Sequence, residues 1–213
     1  MINNEENLFN DVAMKDLLAM VDPSETIYWK GKPDKKCFRL ESIFNPLLPF
    51  AAIWGLIDFS ILGVSLFSGE AAFFIIPFIL FHMMPVWMYL GGILLITRKY
   101  KNMAYIVTDK AVYFSHGAFT KNVNVKPFAE LSHINLHRGI IDQMCNVGDV
   151  VISTNQYTSK GAPVNLVISS ISDYQKVYSM VSKLQKDIHS DVQYPNAYRP
   201  DSNPGYNTKY TNM

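Results

Sequence analysis

Two long apolar runs, separated by three residues, set the limits on what this chain can fold into. Asn45 to Phe67 read NPLLPFAAIWGLIDFSILGVSLF, 23 residues with one formal charge, Asp58. Ala71 to Ile96 read AAFFIIPFILFHMMPVWMYLGGILLI, 26 residues without Lys, Arg, Asp or Glu. A helix needs about 20 mainly apolar residues to cross a ~30 Å hydrocarbon core, so both runs suffice with slack for tilt. Pro46, Pro49, Pro77 and Pro85 would be costly inside soluble helices but are better tolerated in a bilayer. The competing reading is a buried helical hairpin of a soluble protein. Such helices are usually shorter and carry a polar face, which these runs lack. With only Ser68, Gly69 and Glu70 between them, the runs predict an antiparallel transmembrane pair over 45–96.

The flanks predict its orientation. Lys30, Lys32, Lys35, Lys36 and Arg39 precede the first run, Arg98, Lys99 and Lys101 follow the second, and the turn is without a basic residue. The positive-inside rule puts both termini in the cytoplasm and the Glu70 turn outside, in a multi-pass protein of the cell membrane. Residues 1–28 hold six acids and one Lys with no early apolar core, so no secretory signal is expected.

Asp58 and His82 are ionisable groups in an expensive place. They stand ten residues before Ser68 and twelve after Glu70, roughly 15 and 18 Å from the turn at 1.5 Å per residue. Nearly equal depth lets them face each other across the hairpin. A polar clasp is the favoured reading, because two helices enclose little volume for a pathway. The alternative is a proton relay or small-substrate site in a membrane enzyme or transporter component.

After Tyr100 the pattern turns to short β-branched and aromatic runs. MAYIVT (103–108) and AVYFS (111–115) flank Asp109-Lys110 as a tight hairpin, and His116-Gly117 supplies the next turn before 121–126. Further strands are predicted at 130–137, 149–154 and 164–169. From Asp173 to Ile188, Tyr174, Val177, Tyr178, Val181, Leu184 and Ile188 recur at helical spacing, with Ser172 or Asp173 as N-cap. Strands closed by one amphipathic helix predict a small barrel or sandwich.

The stretches YIVTDKAVYFSHG and LSHINLHRGIIDQMCNVGDVVIST, the last helix and the upstream ETIYWKGKP resemble the bacterial PH-domain family of membrane proteins. The resemblance covers roughly residues 25–190. It implies an α+β membrane protein in which a helical hairpin is joined to a PH-like antiparallel β-barrel, of two orthogonal sheets, capped by a C-terminal helix. About six strands follow the second run where that fold has seven; Ile27 to Lys30 would supply the other, or the seventh is irregular.

The chain thus divides into an N-terminal cytoplasmic arm (1–44), the hairpin (45–96), a PH-like domain (97–190) and a tail (191–213). In the arm, Leu8, Phe9, Val12, Leu17, Leu18 and Val21 form an amphipathic helical pattern. Its net charge of −5 through residue 28 favours packing on protein over anionic lipid. The tail is rich in Pro, Asn and Tyr, lacks apolar periodicity and is expected to be disordered. Its Tyr194, Tyr198, Tyr206 and Tyr210 are weak candidates for recognition.

Cys37 and Cys145 are lone cysteines without ligand spacing; a cytoplasmic disulfide is not expected, and an unmodified Cys37 is favoured over a palmitoylated one. On a strand, His133 and His137 would be about 13 Å apart, too far for one metal. His116 and His189 have no partners in sequence, so no metal is expected. No P-loop, GxSxG or dinucleotide fingerprint is present, which predicts no cofactor and a non-catalytic protein.

Near-zero overall charge excludes a uniformly basic nucleic-acid binder. The +1 total cancels segments of opposite sign, since residues 97–213 carry thirteen Lys or Arg against eight Asp or Glu. Arg98, Lys99, Lys101, Lys110, Lys121 and Lys126, in the first strands and turns after the membrane, are candidate contacts to anionic lipid. Ordinary positive-inside charge accounts for them equally. The expectation is a membrane-anchored interaction or assembly module with the bilayer and a protein, or a second copy, as partners. Direct anionic-lipid recognition is the alternative.

Overall fold

A computed structural model describes residues 11–68, 72–159, 161 and 163–193. The Glu70 turn and the tail from 194 onward lie outside them, as do the first ten residues. The chain divides into two compact units, 1–38 with 98–213, and 39–97.

Among the described residues, the first unit holds seven strands in two antiparallel sheets. β1 (Ile27–Gly31), β2 (Ala104–Thr108), β3 (Ala111–His116) and β4 (Asn122–Pro127) form one sheet in that order. β5 (Leu131–His137), β6 (Gly148–Tyr157) and β7 (Pro163–Ile171) form the other. Residues 27–31 therefore supply the missing strand, pairing Gly31 with Tyr105 and Lys30 with Ile106. The sheets share no ladder among the described residues, so they make an open sandwich, one of the two forms the strand pattern allows, and not the closed barrel that the family resemblance implies. The crossing from β4 to β5 is the 3-10 turn Phe128–Glu130.

β2 and β3 are buried on both faces, which explains why AYIVT reads as a nearly continuous apolar run rather than an alternation. Inward, Tyr105, Val107, Val112 and Phe114 meet Phe128, Leu131, Val150, Ile152 and Ile168. Outward, Ala104, Ile106, Ala111 and Tyr113 are covered by Ala13, Met14 and Leu17 of helix α1 (Val12–Leu18). The small Ala104 and Ala111 let that helix approach. Asp11 caps it by accepting from the backbone N–H of Ala13 (3.0 Å) and Met14 (3.3 Å). Residues 11–38 thus pack with the sheets, and the described part of the acidic arm lies on protein.

The Thr108-Asp109-Lys110 turn is held by its own side chains. Thr108 Oγ1 accepts from Ala111 N at 3.0 Å, and Asp109 Oδ1 accepts from Thr26 N at 2.8 Å, tying the turn to the start of β1. Gly117 opens the β3–β4 turn at φ +126, and a Cβ there would lie 1.9 Å from Thr120 O. Gly117→Ala must therefore shift backbone, and it is expected to cost about 2 kcal/mol, read as a lower thermal midpoint of the full chain in detergent.

Tyr105 is 2% exposed and its hydroxyl lies 3.0 Å from Ser169 Oγ. Burial pushes its phenol up from 10.0 to about 12, against the pull of its Ser169 hydrogen bonds. The unfolded chain loses this proton first, so the contribution is complete below pH 10 and fades as pH rises toward 12. Alkaline titration of stability should show this decline, of up to about 2 kcal/mol, and Tyr105→Phe should remove it.

In the 39–97 unit, helix α2 (Lys35–Ile43) leads out of the first unit and α3 (Leu47–Ser68) follows. Asn45 starts α3 by accepting from Leu47 N at 2.8 Å, and Pro49 sits in the first turn, where its missing N–H costs nothing. The second apolar run is not one helix. It forms α4 (Ala72–His82) and α5 (Met84–Asn102), bent by 53° at the break. Pro85 accounts for it, since it has no N–H to give to the Phe81 carbonyl and its ring crowds that carbonyl. Val86 N turns to Met83 O at 2.9 Å, and two indoles take up carbonyls near the break: Trp54 Nε1 donates to His82 O and Trp87 Nε1 to Leu80 O, each at 2.9 Å. Leu47–Phe67 is long and apolar enough to cross a bilayer by itself; Ile75–His82 and Met84–Asn102 meet the requirement only jointly.

The remaining elements are the short helix α6 (Ile140–Cys145), unforeseen between β5 and β6, and α7 (Tyr174–Gln193). Val177, Val181 and Ile188 of α7 close the core over β5, β6 and the 128–130 turn.

Candidate functional site

Within the 39–97 unit, Asp58 Oδ1 lies 2.8 Å from His82 Nδ1. Asp58 is 1% exposed, and its Oδ2 is without a hydrogen-bond partner among the described residues. His82 is the last residue of α4. Its ring stacks on Trp54 at 4.9 Å and on Phe78 at 5.3 Å, while its carbonyl takes the Trp54 indole. One carboxylate, one imidazole and one indole therefore meet at the helix break. Chemically this is a clasp: Asp58 on α3 fixes the ring whose backbone ends α4, and Trp54 secures the same residue from the other side. The shared-depth argument places the two residues opposite each other, but Trp54 is visible only in the structure, because its partner is the His82 carbonyl, left without a helical donor where Val86 N turns to Met83 O.

The six basic candidates do not form one cluster. Arg98, Lys99 and Lys101 are not in strands or turns, since α5 continues through Asn102 and carries them as exposed residues. Lys121 flanks the β3–β4 turn and bonds Asp16 at 2.6 Å. Lys110 and Lys126 stand at the opposite end of the first sheet. Lys110 Nζ reaches Ser24 Oγ at 3.3 Å; Lys126 donates to Gln156 at 2.9 Å and lies 3.7 Å from Glu130.

Part of the positive flank does structural work. Lys32, whose side chain is 9% exposed, bonds Asp11 at 2.6 Å and lies over the Tyr100 ring at 5.1 Å, with Lys35 also over that ring at 6.0 Å. Trp29 Nε1 donates to Asp173 Oδ2 at 2.6 Å beside them. These residues line an open cleft of about 630 Å³ where the chain leaves β1 and re-enters β2. Lysines and aspartates alternate around it, so it is charge-balanced and not an anion funnel.

Cys37 is fully buried, with Sγ 3.6 Å from Asp142 Oδ1, which removes its thiol from lipidation in this state. Both cysteines are free. His189 Nε2 meets Phe128 O at 3.2 Å, a structural contact of α7. His137 does not meet His133; its Nδ1 lies 3.9 Å from Asp149 Oδ2, and with Asp142 these residues place ligand-type atoms within 4.8 Å of one another. Asp149 Oδ1 accepts from Ser170 N at 2.7 Å and Asp142 Oδ2 from Gly139 N at 2.8 Å. Burial pushes the Asp149 carboxyl up, opposed by the Ser170 N–H and by His137. Those bonds are spent on the protein's own turns, and the grouping has no further sign of an ion.

The profile of the bacterial PH domain matches residues 58–185, more than half of the chain. It spans α4, α5, β2 to β7 and most of α7. The chain belongs to the bacterial PH domain family. Comparison with curated proteins and with solved structures gave no match. A bacterial PH domain is in general a non-catalytic interaction module, and two antiparallel sheets closed by a C-terminal helix agree with that architecture. The profile begins inside α3 and omits β1. In this chain the 39–97 unit is inserted between β1 and β2, neighbours in one sheet.

Proposed function

We propose that this bacterial PH domain is a membrane-anchored, non-catalytic interaction module, held at the cytoplasmic face of the cell membrane by the helices inserted between β1 and β2. The carrying observation is the surface of that insertion. Along α3, Ile53, Leu56, Phe59 and Val64 are 61–70% exposed and Phe67 is 96% exposed. A soluble protein does not leave a continuous apolar helix open to water, whereas in a bilayer this surface is solvated by acyl chains. Because β1 and β2 are adjacent, the chain must leave and re-enter the sheet at the same end, which suits an even crossing with both legs on one side. The basic residues of both legs support the cytoplasmic side. Partners are the bilayer and a protein bound by the sheets, either another membrane component or a second copy.

Full-length protein is expected to stay with membranes through alkaline carbonate washing and to be released by detergent. Release into the carbonate supernatant would overturn anchorage by insertion. The Asp58–His82 clasp supports a structural role for this ionisable pair in the anchor, ahead of an enzymatic or transport role.

A further inference from the structure

One end of the PH-like unit carries apolar side chains that its own fold does not cover. That end is defined by chain connections. β1 finishes there at Gly31 opposite Tyr105, and Asn102 Nδ2 bonds Gly117 O at 3.1 Å, so the β3–β4 turn adjoins the start of β2. The second sheet reaches the same end. Asp34 N donates to Ser170 O at 2.7 Å, and Cys37 on α2 touches Asp142 on α6, the link between β5 and β6. Phe119 in the β3–β4 turn is 77% exposed, and Ile140 and Met144 on one face of α6 are each 80% exposed. Isolated exposed apolar residues are ordinary, but these three share the end from which both legs of the insertion depart.

The geometry points to this rim as a second lipid contact, with Phe119, Ile140 and Met144 seated in the headgroup and upper acyl region of the bilayer that holds α3. The inference rests on the membrane reading above. Two observations choose lipid over a protein partner. First, α3 begins at Leu47, ten residues after Cys37, and most of that interval is helix α2. The chain therefore keeps the start of α3 within about 25 Å of Cys37, which itself touches α6. Second, Lys36, Arg98 and Lys99 on the legs are exposed, and apolar side chains set among basic ones are the composition of interfacial segments. Such a contact would limit the tilt of the PH-like unit, leaving the opposite end, with Lys110, Lys126 and Tyr157, toward the cytoplasm.

The test uses the full chain in vesicles of phosphatidylcholine and phosphatidylglycerol. A photoreactive diazirine residue replaces Phe119, Ile140 or Met144, with Leu56 in α3 and Tyr157 at the far end as references, and adducts are read by mass spectrometry. Lipid adducts are expected at the three rim positions and at Leu56, and none at Tyr157. Adducts at Leu56 but not at the rim, or rim adducts to protein instead of lipid, would overturn the inference and leave anchorage standing. Loss of lipid adducts at Leu56 as well would sink the anchorage itself.

Discussion

Replacing His82 with Leu is expected to destabilise the helical insertion by about 3 kcal/mol, since it leaves the Asp58 carboxylate buried without its imidazole. Asp58 Oδ2 already has no hydrogen-bond partner among the described residues, so the change would strip the side chain of its one recorded contact. Asp58→Leu should cost less, because His82 is partly exposed and remains stacked on Trp54 and Phe78. The double replacement should recover much of the loss, since an apolar pair of similar volume carries no desolvation cost. Denaturation of the full chain in mixed micelles, followed by tryptophan fluorescence, measures all three; Trp54 reports directly from the site. Singles that unfold like the parent protein would refute the clasp.

A comparable loss is expected far from the insertion. Phe128 is 0% exposed and fills the core where the chain crosses from β4 to β5. Around it, Gln185 Nε2 donates to Leu131 O at 2.9 Å and to Ser132 O at 3.0 Å, and His189 meets Phe128 O, so α7 is pinned to the crossing. Phe128→Ala should cost about 4 kcal/mol by removing apolar contact and leaving a cavity that these fixed neighbours cannot fill. The thermal midpoint of the full chain should fall sharply, and α7 amides should exchange faster. Phe128→Leu should retain most of the stability. Equal effects of Ala and Leu would mean the crossing does not pack as described.

These two sites differ in how far sequence alone reaches. The Asp58–His82 encounter is legible from residue counting, because an antiparallel hairpin converts distance from a turn into depth. The bend at residues 82–84 is harder to read. Four prolines are visible, yet their effects differ: Pro85 adjoins the bend, Pro77 lies within α4, Pro46 precedes α3, and Pro49 sits harmlessly in its first turn. The outcome depends on the Trp54 and Trp87 indoles donating to the carbonyls that the break exposes. Strands β2 to β7 follow from alternation and turn residues. β1 is reached only as one of two alternatives, by counting strands within the family resemblance, because its partner lies beyond the whole insertion. Helix α6 escapes for another reason: with Ile140 and Met144 exposed, GIIDQMC has no amphipathic pattern facing the core. The basic residues show the limit most clearly. Their nearness in sequence suggests one patch, but β3 carries Lys110 and Lys121 to opposite ends, and Asp16 occupies one of them.

Insertion between adjacent strands unites these observations. It brings both basic legs to one end of the sandwich and lets Lys32 and Tyr100 lock them together, and under the proposed anchorage an even crossing is the way out and back. The most direct measurement is side-specific labelling of single cysteines in intact and permeabilised cells. The variants Glu70→Cys and Lys110→Cys would be made in a Cys145→Ser background in which buried Cys37 is retained. Cysteine at 70 is expected to react with an impermeant maleimide in intact cells, and cysteine at 110 only after permeabilisation. Labelling of both positions from the same side would contradict a chain that crosses the membrane and returns to its sheet.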